Sequence, residues 1–247
     1  MDPVNDRDDR FIRGLRIDWD RVASDPWLQA VPAVAGLREL EFPAPATFLV
    51  GENGSGKSTL LEAVAVAYGL NPEGGTLNYR FSTHDHPCVL AGAMTLVKGV
   101  RRARTAYFFR AESFFNVATQ AEAYDETVGP SFGGRSLHEQ SHGESFLSFF
   151  QTFDGPGLYL MDEPEAALSP QRQLTLLLHL MRLTQAGAQI IAASHSPILL
   201  GMPGAQLLSM DGGGIRPIRW EDTGSYAITR LFLERGDDLL RRMAEEK

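Results

Sequence analysis

The nine residues Gly51-Glu52-Asn53-Gly54-Ser55-Gly56-Lys57-Ser58-Thr59 constrain this chain more than any other stretch of it. They follow the apolar run 47–50 and open the segment 58–68, rich in leucine, alanine, valine and glutamate, which predicts a helix. The pattern is G-x-x-x-x-G-K-[ST], set between a strand and a helix. Glycines lack the Cβ that would keep a ligand off the backbone, so successive N–H groups converge on one anion. The first turn of the following helix adds positive dipole at the same point. Such a loop needs a strand and a helix packed as neighbouring layers, which selects an α/β architecture. The anion it fits is the phosphate chain of ATP. Lys57 would reach the β- and γ-phosphates, the Ser58 hydroxyl would ligate Mg²⁺, and Thr59 would add a phosphate contact.

The remaining pattern agrees with that architecture. Strands are expected at 11–17, 37–42, 158–161 and 189–193, and 93–97 with 105–109 reads as a strand pair. Helices are expected at 113–126, 144–153, 170–183 and 226–246. The turn Asp211-Gly212-Gly213-Gly214 joins 206–210 to 215–220 as a hairpin. Strands alternating with helices give a mainly parallel sheet flanked by helices, and the antiparallel pieces make it mixed at its edges. One domain over 1–247 is expected, with a small inserted lobe at 71–135.

Several function classes are set aside. The single cysteine, Cys88, forms no intrachain disulfide and fits a reducing, cytoplasmic setting. The start, MDPVNDRDDR, lacks the apolar run of a signal peptide. The apolar run 174–183 contains His179 and Arg182 and is too short for a bilayer, so no membrane insertion by this chain is expected. Net charge is −8, opposite in sign to a general nucleic-acid binder. Arg101, Arg102 and Arg104 form a dense basic cluster that reads as a solvated strand face sooner than as a phosphate contact. His84, His86, His138 and His142 match no zinc spacing, and Cys88 lacks a second thiol. Mg²⁺ is therefore the metal expected.

Two further features belong with the glycine loop. The apolar stretch 158–161 ends in Asp162-Glu163. Asp162 would hold Mg²⁺ through water, and Glu163, pointing the other way, would polarise the attacking water. His195 ends the stretch 189–193 where a parallel sheet aims its strand ends at the nucleotide, and reads as a γ-phosphate sensor. Between these elements, Ser141-His142-Gly143-Glu144-Ser145 opens a helix, with Ser141 as cap and Glu144 as its capping-box partner.

Glycine loop, then Ser141 to Ser145, then Asp162-Glu163-Pro164-Glu165, then His195: in this order the motifs resemble the ABC ATPase family. The likeness runs through residues 11–220 and is strongest to the RecF, SMC and OLD branch and to small stand-alone bacterial AAA/ABC-like ATPases. It implies a P-loop NTPase fold and ATP hydrolysis with Mg²⁺. It also implies that Ser141, Gly143 and Glu144 meet the γ-phosphate of ATP held by a second copy, in a head-to-tail homodimer that acts on a protein partner in DNA repair or defence. The alternative is a nucleotide-binding subunit for a separate membrane chain, received near 113–117, where Phe114 and Phe115 also read as core. Ser169 stands where transporters carry aspartate in the turn before the next helix, which questions the usual coupling between the two sites. No glutamine follows 105–109; Arg110-Ala111-Glu112-Ser113 stands there, and Glu112 would take over its metal contact. Trp19 and Trp27 are candidates to stack on adenine, with core packing the competing role for each.

Overall fold

The computed structural model describes residues 10–22, 26–77, 88–114 and 142–245. Its strands are β1 (Ile12–Ile17), β2 (Glu39–Glu41), β3 (Ala46–Val50), β4 (Gly75–Thr76), β5 (Met94–Lys98), β6 (Thr105–Arg110), β7 (Gly157–Asp162), β8 (Gln189–Ala193), β9 (Gln206–Ser209) and β10 (Arg216–Pro217). Its α-helices are α1 (Pro26–Ala30), α2 (Pro32–Ala35), α3 (Lys57–Tyr68), α4 (Val89–Ala93), α5 (His142–Phe150), α6 (Pro170–Gln185), α7 (Pro197–Leu200) and α8 (Gly224–Glu245).

A seven-stranded sheet runs in the order β10-β9-β3-β8-β7-β6-β4. Its five inner strands are parallel, and β10 and β4 pair antiparallel at the two edges. The expected mixed, mainly parallel sheet is thus present. A separate antiparallel sheet, β2-β1-β5, lies beside it. This corrects one expectation: 93–97 and 105–109 do not pair with each other. β5 joins β1, while β6 pairs with β7 and β4. The reason is that β6 is apolar on both faces. Phe108 and Phe109 point to opposite sides and are both buried, which only a strand covered by two layers can satisfy.

That two-sidedness holds across the sheet. Leu49, Phe108, Leu158, Leu160 and Ile191 face a core completed by α3, α4 and the small sheet. Phe48, Phe109, Tyr159, Met161 and Ile190 face a second core under α5, α6 and α7. The period of two along each strand sorts neighbours between the cores. Phe114 belongs to the second core, 2% exposed, with its ring centroid 4.6 Å from that of Phe146. This is the core role read for it from the sequence. Phe115, the rest of the helix expected at 113–126, and His84, His86 and His138 lie outside the described residues.

The two sheets are joined by a side chain. Gln189, 1% exposed at the start of β8, accepts from Ile12 N through Oε1 at 2.9 Å and donates through Nε2 to Ile12 O at 2.7 Å. At the far end α8 buries none of its residues and is kinked at Arg235. No helix among the described residues is long and apolar enough to cross a membrane.

Candidate functional site

The parallel register assembles the site. Leu49, Ala193, Asp162 and Arg110 form one row across β3, β8, β7 and β6. The residues just past that row, Gly51, His195, Glu163 and Glu112, therefore emerge together at the carboxyl edge of the sheet, where open α/β sheets bind ligands.

The glycine loop turns there from β3 into α3. Gly54 and Gly56 have φ of +81° and +96°. A Cβ on Gly56 would sit 2.5 Å from Val31 Cγ1 and 3.0 Å from Val34 Cγ2, so α2 presses directly on the loop. Glu52 N donates to Asp211 Oδ1 at 2.9 Å, which pins the start of the loop to the turn after β9. Lys57 is buried, and its ammonium donates to Gly51 O at 2.7 Å and Glu52 O at 2.9 Å. Burial lowers its pKa, and the carboxylates of Glu163, Asp211, Asp162 and Glu52 oppose that shift. Ser58 Oγ donates to Asp162 Oδ1 at 3.0 Å. Thr59 is half-buried one residue further, while Glu52, Asn53 and Gly54 are exposed.

Asp162 is 5% exposed, and burial pushes its pKa up to about 6 against the Ser58 hydrogen bond and the Arg110 charge. Arg110 was not singled out by sequence as a partner of this acid. Its Nε lies 3.8 Å from Asp162 Oδ2, its Nη1 donates to Glu62 Oε2 at 2.7 Å, and its Nη2 lies 3.7 Å from Glu112 Oε2. Glu112 is exposed and lines one cleft with Ser58, Asp162 and Glu163. Glu163 has φ of +52°, a conformation few non-glycine residues adopt, and it places Oε1 4.0 Å from His195 Nε2. Its backbone N–H is held by Ala193 O at 3.0 Å.

Glu165 is a second residue whose role the sequence did not disclose. Its carboxylate accepts from Ser194 Oγ, His195 N and Ser196 N at 2.8, 2.6 and 3.0 Å. Burial raises its pKa while these bonds lower it. Ser169 caps α6, accepting from Arg172 N at 3.4 Å. Glu144, exposed near the start of α5, pairs with Arg172 at 3.3 Å and so ties that helix to α6. Gly143 lies in the first turn of α5, and Ser141 lies outside the described residues. Trp19 donates to Leu37 O at 2.7 Å and packs against the first core, whereas Trp27 is 58% exposed.

The donors suit a metal-bound triphosphate. Ser55 Oγ in the loop and His195 Nε2 across the cleft are buried and make no hydrogen bond among the described residues. Buried polar atoms are normally bonded, so each leaves hydrogen-bonding capacity unused among the described residues. A hydroxyl and a carboxylate already in contact, Ser58 and Asp162, make an oxygen-donor set of the kind Mg²⁺ takes.

Residues 34–98 match a family model described as "AAA domain", and residues 145–201 match one described as "AAA domain, putative AbiEii toxin, Type IV TA system". The hemin import ATP-binding protein HmuV of Rhizobium meliloti is 28% identical over 199 residues, covering 70% of this chain and 74% of that protein. The cytochrome c biogenesis ATP-binding export protein CcmA of Rhodospirillum rubrum is 29% identical over 192 residues, covering 72% and 78%. Among solved structures, the SMC head domain from Thermotoga maritima is similar at a TM-score of 0.43 and 16% identity, covering 84% of this chain and 99% of that one. With the loop, the strand-end acids and the sheet order as described, the chain is similar over residues 34–98 and 145–201 to AAA-type domains, and over most of its length to ATP-binding proteins of importers and exporters.

Proposed function

We propose that the chain hydrolyses ATP with Mg²⁺, and that two copies close head to tail around two nucleotides to act on a protein partner. The observation that carries this reading is the 3.0 Å bond between Ser58 and Asp162, which brings the hydroxyl of the glycine loop to the acid of the neighbouring strand end. Backbone N–H groups from Gly51 to Gly56, with Lys57 and Thr59, bind the phosphates. Ser58 and Asp162 hold Mg²⁺, with Glu112 at the rim of the same cleft. The ion, when bound, neutralises charge that builds on the phosphate oxygens. Glu163 orients and deprotonates the attacking water, and His195 donates to the γ-phosphate. Ser141, Gly143 and Glu144 face the nucleotide of the other copy.

Light scattering on Glu163→Gln tests the reading. The substitution removes the base and keeps the shape, so Mg-ATP should convert monomer to dimer and ADP should not. A monomer with ATP demonstrably bound overturns the self-paired sandwich. A second reading, a subunit serving a membrane chain, has specific support in the import and export names of HmuV and CcmA. Co-purification with a membrane protein favours it. A place in DNA repair or defence predicts DNA binding with a steep salt dependence.

A further inference from the structure

The third acid of Asp162-Glu163-Pro164-Glu165 does a different job from the first two. The turn after β7 carries Glu165 under the loop that leaves β8. There one oxygen, Oε1, collects donors from three consecutive residues: Ser194 Oγ, His195 N and Ser196 N. Hydrogen bonds to a carboxylate are shorter and stronger than neutral ones. Two of the three come from main-chain N–H groups and fix the backbone at His195 and Ser196, and the third holds the Ser194 side chain. The other oxygen, Oε2, is buried and makes no hydrogen bond among the described residues, so every hydrogen bond described for this side chain goes to the loop.

The His195 ring has no comparable support. Its Nε2 is buried and unbonded among the described residues, 4.0 Å from Glu163 Oε1. The position of the imidazole therefore follows from its main chain, and the main chain follows from Glu165. A second string of bonds enters the same loop. Ser196 Oγ donates to Gln173 Oε1 at 2.6 Å, and Gln173 Nε2 donates to Leu168 O at 2.9 Å. Leu168 precedes Ser169, so the turn at 167–169 and the histidine loop share one hydrogen-bonded chain.

We propose that Glu165 is the positioning residue for His195, and that Gln173 links this setting to the turn before α6. The proposal rests on the reading of His195 as the group that meets the γ-phosphate. Glu165 itself touches no reacting atom. It sets where the imidazole stands when ATP arrives, and a displaced 167–169 turn would shift the imidazole through Gln173 and Ser196.

The test compares Glu165→Ala, Glu165→Gln, His195→Ala and the Glu165→Ala/His195→Ala pair. Glu165→Ala should lower kcat by up to roughly a hundred- to a thousandfold, the scale of a lost transition-state donor, with KM for ATP little changed. Glu165→Gln keeps an acceptor oxygen and should return most of the rate. The double variant should be no slower than His195→Ala, because one residue acts through the other. The His195 ring resonance, assigned by its loss in His195→Ala, should move in Glu165→Ala and return in Glu165→Gln, with or without turnover. An unmoved resonance, or losses that multiply in the double variant, overturns the proposal. If Glu165→Ala does not fold, Gln173→Ala is read by the same resonance, with movement supporting and no movement overturning the link. Full activity in His195→Ala would instead remove the parent reading of His195, and the resonance would still report Glu165's hold on the ring.

Discussion

Gly56 stands where the glycine loop becomes α3, and two separate terms bear on its replacement by alanine. The first is conformational. At φ of +96° a residue with a Cβ costs about 1–2 kcal/mol more than glycine. The second is steric. The new methyl would lie 2.5 Å from Val31 Cγ1 and 3.0 Å from Val34 Cγ2, and both valines are buried, at 7% and 0% exposure. Forcing a methyl into a packed site costs roughly 1–3 kcal/mol. Gly56→Ala should therefore lose about 2–5 kcal/mol of a total on the order of 5–15. Gly54 separates the terms. Its φ is +81°, but nothing lies within 4 Å of a Cβ built there, so Gly54→Ala should lose only the conformational part, about 1–2 kcal/mol. Val31→Ala removes the nearer obstacle and on its own costs about 1.6 kcal/mol for the two lost carbons. Combined with Gly56→Ala it should be less damaging than the sum by roughly the steric term, about 1–3 kcal/mol. Urea denaturation of the nucleotide-free chain, read at unchanged m, measures all four variants. Equal losses for Gly54→Ala and Gly56→Ala would refute the argument, as would strict additivity of Val31→Ala with Gly56→Ala.

Three other outcomes are expected. Asp162 has its pKa raised by the fold from 3.8 to about 6, so its stabilising contribution is complete below about pH 4 and is lost as pH rises through about 6, a difference of about 3 kcal/mol by pH 7. Without nucleotide or metal, Asp162→Asn should thus denature at higher urea than the parent chain at pH 7.5 and match it near pH 4; a gap that ignores pH contradicts this. Lys57→Ala removes the ammonium that sits on the loop carbonyls and should cut ATP turnover by roughly a hundredfold or more, and undiminished turnover would end the hydrolysis reading. Ser169→Ala deletes the cap of α6 and should cost about 1 kcal/mol by urea midpoint; an unmoved midpoint denies the cap any weight.

The parts of the site that could be read in advance are those whose partners lie close in sequence or follow from strand direction. The loop from Gly51 to Thr59 announces itself by spacing, and Asp162, Glu163 and His195 by ending apolar runs that a parallel sheet must align. Arg110 also ends such a run, but its partners Glu62 and Asp162 become visible only when β6 is known to lie beside β7 and not beside β5. The mistaken pairing of 93–97 with 105–109 hid that. Asp211 reads locally as the opening of a glycine turn, and its bond to Glu52 crosses 159 positions of sequence. Glu165 was legible as an acid but not as the acceptor for three consecutive residues, because those donors come from the loop that follows β8. Ser169 illustrates the opposite case. It departs from the pattern of the resembling family, and the structure gives it a sufficient local role as a helix cap.

Gln189 has a consequence for how the molecule comes apart. Its buried amide supplies one donor and one acceptor in place of a strand's peptide group, and through them the N-terminal sheet is latched to the large one. The Ile12 amide finds that partner only when β8 is already in place. In deuterium exchange Ile12 is accordingly the reporter of the two sheets parting, distinct from amides between β3 and β8 that open with the whole domain. A second side-chain link, Gln206 Nε2 donating to Glu41 O at 3.4 Å, holds β2 of the small sheet, so Ile12 reports release of its own end of the seam.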